Sequence, residues 1–281
     1  MPSMSIQFSN SLGLYTILVS PPVFGYRSKI EFPFVQTRTA DGKLQSYDYG
    51  SSYDIRSCEC EMELDSTDQE TFFNFINNSD ATRQDTALRM TLQEGSGFFP
   101  FGTDKGDSGS FDVVISNPSF KGIGSAPYKF FHTRVTLVNT GTFPSYTPTT
   151  EKKDGSWTFG NISECRFPQR WYQPEINLSY DISLGNDSSA DIIDNGQTAD
   201  RKSTKFSFQC SQGKAERILS YIADTARDNP FTISVPDSYY PFGLNAGSNK
   251  SFFVKLSQNT INVRNPMFNR FEFDLQLDLE G

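Results

Sequence analysis

The chain contains 281 residues, of which 21% are charged, and its net charge of −8 at pH 7 corresponds to a pI near 4.8. This length accommodates two domains of ordinary size, each with its own core. The acidic balance argues against sequence-independent binding of nucleic acid through a basic surface. Phenylalanine, with 26 residues, and tyrosine, with 12, are abundant, which favours strands over helices. We therefore expect a mainly β protein.

No secretory signal peptide is recognisable at the beginning of the sequence. Residues 12–19 are moderately apolar, but no basic residue precedes them and two prolines follow. No apolar run approaches the roughly 20 residues that cross a membrane as a helix. We expect a soluble protein that is made in the cytoplasm.

The four cysteines are Cys58, Cys60, Cys165 and Cys210. They form neither a CxxC pair nor another spacing that is typical of a metal site. We therefore expect free thiols in strands, with no metal and no cofactor.

The predicted elements begin after residues 1–11, a polar segment that we expect to be an arm. Strands are predicted at residues 14–19 and 29–37. The turn sequence Ala40-Asp41-Gly42 and a tyrosine-rich return then complete a hairpin.

The clearest strand of the first half lies at residues 57–64, where apolar side chains alternate with Glu59, Glu61 and Glu63. Three carboxylates in a row could suggest acid–base chemistry. No partner that would push their pKa values apart is identifiable, so the row indicates a solvated face rather than a catalytic site.

A helix is predicted directly after this strand. Ser66 and Gln69 have the spacing of a capping box, and the helix is expected to end near Asn77-Asn78. Its predicted buried stripe consists of Phe72, Phe73, Phe75 and Ile76.

The rest of the first half contains more strands. They are predicted at residues 87–92, at residues 111–116, where Asn117-Pro118 breaks the strand, and at residues 131–137. The only histidine, His132, lies on the polar side of the last strand. Nothing near it suggests a nucleophile elbow, so we expect a surface position.

The second half repeats this plan after residues 141–156, a stretch rich in Thr, Pro, Gly and Lys that is the best linker candidate. Strand-like segments occur at residues 157–159 and 166–172, and residues 176–184 form a longer extended run. The polar residues 185–201 are predicted to be a mobile loop.

The strand at residues 205–210 then puts Phe208 and Cys210 where the first half has Met62 and Leu64. A helix follows, with Ser211 as its predicted N-cap. The buried stripe of this helix is expected to be Ala215, Ile218, Leu219 and Ile222. Strands are predicted at residues 231–235, 252–257 and 270–279.

A short aromatic motif occurs in both halves. FFPFG at residues 98–102 corresponds to YYPFG at residues 239–243, and residues 111–116 correspond to residues 252–257 at the same spacing of 141. A period this long indicates duplicated domains rather than a solenoid. Aromatic rings are expected to anchor the loop, while proline fixes φ and glycine permits the turn.

This order of elements resembles the tail-tube-like domain of tailed bacteriophages, and it is most similar to the minor tail and distal tail proteins at the tail tip. In the second half the similar residues are 205–222, 230–235, 239–243 and 271–279. In the first half the same plan extends from Cys58 through the helix to Leu137.

The resemblance implies two tandem tail-tube-like β-sandwich or barrel domains, each with one flanking α-helix. They occupy residues 1–145 and 157–281, with a linker at residues 146–156. It further implies a structural protein of the tail tip or baseplate, of the distal tail or hub type, without catalytic, cofactor-binding or metal-binding residues.

In such a role the protein forms a trimeric or hexameric ring around the tail channel and connects the tail tube to the tip. The implied partners are further copies of the chain, the tail tube protein, the tape-measure protein and hub or tip proteins. DNA passes through the ring without specific recognition, and no membrane is involved. The protein would be located in the virion after assembly in the host cytoplasm, and its net charge of −8 is compatible with a lumen that repels phosphates.

Two other functions are considered. A virion-borne carbohydrate- or receptor-binding β-sandwich module could stack Trp171-Tyr172 or Tyr239-Tyr240 on sugars. A glycosidase needs two carboxylates about 5 to 9 Å apart in a cleft, and the sequence identifies no such pair.

Overall fold

The computed structural model describes residues 6–10, 16–19, 25–39, 44–50, 54–78, 88–92, 100–101, 110–123, 130–140, 157–160, 162–165, 171–177, 180–184, 190–194, 201–235, 240–242, 250–267 and 270–280. Within them the protein is mainly β, with two helices and antiparallel pairing throughout. Neither helix has the length and apolar character needed to span a membrane. The predicted linker, at residues 146–156 within the Thr- and Pro-rich stretch 141–156, lies outside these residues.

The first half of the chain comprises β1 Ile6–Ser9, β2 Thr16–Val19, β3 Arg27–Glu31, β4 Phe34–Arg38, β5 Leu44–Asp48, β6 Ile55–Asp65, α1 Ser66–Asn77, β7 Leu88–Leu92, β8 Ser110–Ile123 and β9 Phe130–Asn139. The second half comprises β10 Trp157–Phe159, β11 Ile162–Cys165, β12 Trp171–Asn177, β13 Tyr180–Leu184, β14 Ala190–Asp194, β15 Arg201–Cys210, α2 Gln212–Tyr221, β16 Phe231–Val235, β17 Lys250–Leu256, β18 Thr260–Met267 and β19 Arg270–Leu279. A π-helical turn, Ile222–Ala226, extends α2.

Both halves pair their strands in the same order. The first half has the order β2-β1-β7-β8-β9-β6-β3, and the second has β11-β10-β16-β17-β19-β15-β12. The registers agree as well, because Leu64 lies opposite Phe131 while Cys210 lies opposite Phe271. The replacement of Leu64 by Cys210, predicted from the sequence, is therefore present in the strand pairing. Each half also has a two-stranded hairpin outside this strand order: β4–β5 follows β3, and β13–β14 follows the equivalent strand β12.

The two halves are joined by strand β18. It pairs with β19 in its own half and with β3 of the first half, where Thr260 lies opposite Glu31 and Arg264 lies opposite Arg27. The result is one continuous antiparallel sheet in the order β12-β15-β19-β18-β3-β6-β9-β8. We call it the eight-stranded sheet.

Alternation along the strands determines which face of this sheet enters the core. The apolar side chains of β6 and β19 are buried on one face, as the sequence predicts for residues 57–64 and 270–279. The strands β1, β2, β7 and β10, β11, β16 continue the sheet beyond β8 and β17. The buried side chains of β1, β2, β7, β10 and β16 belong to the same hydrophobic cluster. Phe8 of β1, for example, packs on Phe72 of α1 with ring centroids 6.2 Å apart.

Helix α1 ends as predicted at Asn77, but its cap differs from the prediction. Asp65, not Ser66, is the N-cap, and its carboxylate accepts hydrogen bonds from the amides of Thr67 and Asp68, both at 2.8 Å. The carboxylate also lies at the positive end of the helix dipole, which favours an acidic cap.

The predicted apolar stripe of α1 is only partly buried. Phe72 and Phe75 are buried and Ile76 is partly buried, but Phe73 is 44% exposed and packs edge-on against Phe120 of β8. In α2 the predicted stripe is buried in full. Ser211 is the N-cap of α2, as predicted, although its side chain makes no capping hydrogen bond.

Other local expectations were wrong or incomplete. Residues 6–9 are strand β1 rather than part of an arm, because Ile6 and Phe8 enter the core. Residues 190–194 form β14 rather than a loop, because they pair with β13. Strand β18 was not predicted. Asn117-Pro118 does not end β8, because a bulge with Asn117 at φ 49° lets the strand continue to Ile123.

The aromatic motif anchors each half at the same place. Phe101 and Phe242 are fully buried, and each packs on the phenylalanine ten residues later, Phe111 or Phe252, with ring centroids 5.2 Å apart in both cases. The prolyl carbonyls of both motifs accept hydrogen bonds, from the Ser28 hydroxyl at Pro100 and from the Thr204 hydroxyl at Pro241. The predicted anchoring by these two rings is therefore confirmed.

Candidate functional site

A continuous polar surface covers the second face of the eight-stranded sheet, which we call the polar face. Its side chains are exposed or half-buried, and they alternate with the core residues along each strand. Its exposed or half-buried charged members, among the described side chains, are Arg27, Lys29, Glu31, Glu59, Glu61, Glu63, Asp65, Asp112, Lys121, His132, Arg134, Glu175, Lys205, Arg264, Arg270, Glu272 and Asp274. Nine of them are acidic and seven are lysines or arginines, so this face carries only a small part of the net charge of −8.

The glutamate row of β6 pairs with side chains of β9. His132 contacts Glu61 through Nδ1 at 2.6 Å and Glu63 through Nε2 at 3.1 Å, while Arg134 lies 3.5 Å from Glu59. Both ring nitrogens can donate to these carboxylates only when the imidazole is protonated. His132 has the half-exposed position predicted for it, but the sequence did not indicate that it bridges two glutamates.

The second half has matching pairs on the same face. Lys205 Nζ lies 2.8 Å from Asp274, and the Gln209 amide donates to Glu272 at 2.6 Å. Burial acts to raise the pKa of Asp274, but hydrogen bonds from Lys205 and Ser207 outweigh it, so the pKa is lowered.

Two grooves lie on the part of the polar face that the structure describes. One groove of about 530 Å³ runs over β15, β18 and β19, between Lys205 and Arg264. The other, of about 400 Å³, lies over β3, β6 and β9 beside His132. Within the described residues, no group of three or more His, Cys, Asp or Glu side chains is arranged to hold a metal ion.

A buried ion-pair cluster joins the halves away from the polar face. Arg227, just after the π-helical turn, reaches Asp48 at 2.7 Å and Asp54 at 2.9 Å, and its guanidinium lies 5.6 Å from the centre of the Phe32 ring. The Gln36 amide of β4 also donates to the Leu256 carbonyl at 2.7 Å. The β4–β5 region of the first half is thus fastened to the helix and strand of the second. Nothing in the local sequence pattern had singled out these residues.

Burial changes the ionisation of this cluster. It raises the pKa of Asp54 from 3.8 to about 6, a shift that Arg227 and Arg56 oppose and that Asp48 increases. Burial also lowers the pKa of Arg56 to about 10, against the attraction of Asp54 and Asp224. The cluster is therefore a partly desolvated network that depends on all of its charges.

The eight-stranded sheet ends in two open edges. Among the described residues, β12 pairs only with β15, and the end of β8 at residues 119–123 pairs only with β9. In the internal joint, β3 has the place of β12 and β18 has the place of the end of β8. The two strands at the open edges, β12 and the end of β8, are therefore equivalent to β3 and β18, which pair with each other inside the chain.

Cys58, Cys60 and Cys210 lie in strands and form no disulfide bond, and burial raises the pKa of Cys58, which makes it a poor nucleophile. Tyr240, one of the candidates for stacking on sugars, is 43% exposed. The side chains of Trp171-Tyr172, and Tyr239, lie outside the described parts of the structure.

No known protein family and no curated protein gives a significant match to this sequence.

Proposed function

We propose that the chain is a structural protein of a bacteriophage tail tip or baseplate, of the distal tail or hub type. Copies join head to tail into a ring around the tail channel, and the ring connects the tail tube to the tip. In this proposal each half is one tail-tube-like unit. Three chains then give one ring of six units, and six chains give a double ring.

The observation that supports this most is the internal joint between equivalent edges. β3 and β18 form a main-chain ladder over residues 27–31 and 260–264. The same two kinds of edge remain open at opposite ends of the sheet, on β12 and on residues 119–123 of β8. A surface that offers a complementary pair of different edges associates head to tail, and such contacts close into a ring when the rotation per unit divides a full turn.

The hairpins support the same arrangement. β4–β5 follows β3 and contacts the second half through Gln36 and Asp48. β13–β14 follows β12 in the same way, and in the ring it contacts the first half of the next copy. Each boundary in the ring would then combine a strand ladder with a hairpin.

In such a ring the polar face lines the channel, because the other face of the sheet is covered by the hydrophobic core. Its charges are nearly balanced, and several of them are paired across strands. A channel with this lining neither binds phosphates tightly nor repels them strongly, which suits the passage of DNA and of an extended protein.

Electron microscopy of the chain assembled with its tail partners tests this function. We expect a closed ring with sixfold pseudo-symmetry, and averaging without imposed symmetry distinguishes three chains from six. Native mass spectrometry of the same sample gives the number of chains independently. A particle that stays strictly monomeric with its tail partners would contradict the proposal.

A further inference from the structure

Each open edge of the eight-stranded sheet has a proline on it or directly beside it: Pro174 lies on β12, and Pro118 directly precedes residues 119–123 of β8. We infer that these prolines weaken the contact between copies, so that the isolated chain is monomeric and closes into a ring only on a tail partner that holds several copies together. The inference rests on the proposed function, because it concerns the same two edges.

Pro174 has the place in the second half that Ser28 has in the first. Pro174 lies opposite Thr204 on β15, and Ser28 lies opposite Cys58 on β6. Thr204 and Cys58 are equivalent, because Thr204 lies opposite Leu277 on β19 and Cys58 lies opposite the matching residue of β9.

The direction of the Ser28 amide follows from its neighbours on the strand. The Tyr26 carbonyl accepts from the Asn265 amide at 3.2 Å, and the Phe32 amide donates to the Asn259 carbonyl at 2.8 Å. Main-chain groups of alternate residues point to the same side of a strand, so Ser28 also faces β18.

In the equivalent position, Pro174 directs its ring toward the open side of β12. Proline has no amide hydrogen to donate there, and its ring occupies the space that an approaching strand needs. The edge that a second copy must join is therefore the one that the proline obstructs.

The edge on β8 also has a proline, which lacks a main-chain amide donor. On β18, Val263 lies opposite both Ser28 and Phe273. On β8, Phe120 lies opposite Thr133, the equivalent of Phe273, so Phe120 of one copy faces Pro174 of the next. Pro118, two residues earlier and within the bulge between Ser116 and Ser119, is the nearest equivalent of Ile261, which lies opposite Ile30 in the internal ladder.

A contact between copies thus lacks two main-chain donors that the internal ladder has. Each missing net hydrogen bond weakens association by about two- to tenfold. Prolines on exposed edge strands are a common protection against uncontrolled pairing. Here they oppose pairing of free chains while leaving the side-chain and hairpin contacts for an assembly on a partner.

Substitution of the prolines tests this inference. Pro174→Ser introduces the residue that β3 has at this position, and Pro118→Ser restores the donor on the other edge. We expect wild type to sediment as a monomer at micromolar concentration. Association is expected to tighten by roughly tenfold in each single variant and by up to about a hundredfold in the double variant. Pro230→Ser is the matched control, since this exposed proline precedes β16, away from both edges.

Two results would overturn the inference. One is a wild-type chain that closes into rings alone at micromolar concentration, which would leave the proposed function intact. The other is a folded double variant, with the circular dichroism spectrum of wild type, that remains monomeric at all concentrations. If Pro174→Ser does not fold, Pro118→Ser alone must associate more tightly than Pro230→Ser, and equal association of the two contradicts the inference.

Discussion

Phe101 and Phe242 perform the same task in the two halves, since each fixes a loop by burying its ring against the phenylalanine of the following strand. Replacing Phe242 by alanine removes a ring that is 0% exposed. We expect a loss of about 3–5 kcal/mol in the free energy of unfolding, because a cavity remains in the core. Urea-induced unfolding measures it.

The neighbouring Tyr240 is a matched control for this substitution, because its side chain is 43% exposed. Tyr240→Ala is expected to cost about 1 kcal/mol or less. Equal effects of the two substitutions would show that Phe242 does not anchor the loop.

Asp54 makes the stability of the chain respond to pH in an unusual direction. Its pKa is raised to about 6 in the folded chain from its ordinary value of 3.8, so the folded state binds this proton more readily than the unfolded state. This group therefore stabilises the fold progressively as pH falls from 7 toward 3.8. The charges that face it are Arg227, Arg56 and Asp48.

Asp54→Asn removes this titration. The free energy of unfolding of wild type, relative to that of the variant, is expected to increase as pH falls through 6. Urea-induced unfolding at a series of pH values measures the difference. Parallel curves for the two proteins would rule out the proposed role of Asp54.

Among the elements, α1 tests how closely a helix start can be predicted. Asp65 accepts from two amides at 2.8 Å, whereas the sequence favoured a capping box from Ser66. Asp65→Ala is expected to cost about 1 kcal/mol, and Ser66→Ala, as the control one residue away, only a few tenths. A larger loss of thermal stability in Ser66→Ala than in Asp65→Ala would show that Ser66 is the effective N-cap.

The sequence predicted those elements whose pattern is strong and local. Two local patterns are sufficient to predict their elements: the apolar–polar alternation in β6, β9, β15 and β19, and the buried stripe of α2. It missed β1 and β14, which are short and become strands only through pairing. Asn117-Pro118 suggested a break because the local rules do not include a bulge.

The candidate site was less predictable than the fold, for the same reason. Ile261 and Val263 give β18 a weak alternation, but its partner β3 is more than 200 residues away in the sequence. The ion pairs of Arg227 likewise join residues that no local pattern relates. The glutamates of β6 were correctly assigned to a solvated face, but their contact with His132 depends on the strand register.

At the scale of the whole molecule, Arg227 helps to hold the two halves together. Its side chain is 5% exposed and pairs with Asp48 and Asp54. Arg227→Ala leaves buried carboxylates without their partner, so we expect a loss of about 3–5 kcal/mol in urea-induced unfolding.

The control for Arg227 is Arg134→Ala on the polar face, where the arginine side chain is 60% exposed. Ion pairs at exposed positions contribute about 1 kcal/mol or less. If Arg227→Ala is no more costly than Arg134→Ala, the buried cluster does not fasten the halves.

In the proposed ring, every second boundary between units is the β3–β18 ladder, which lies within one polypeptide. At that boundary the two units stay linked by the polypeptide, whereas the chains at the other boundaries can dissociate. A ring of three such chains therefore has three places to open, where six separate units would have six. Widening of the channel then follows threefold rather than sixfold symmetry, and mechanical load concentrates at the boundaries that contain the prolines.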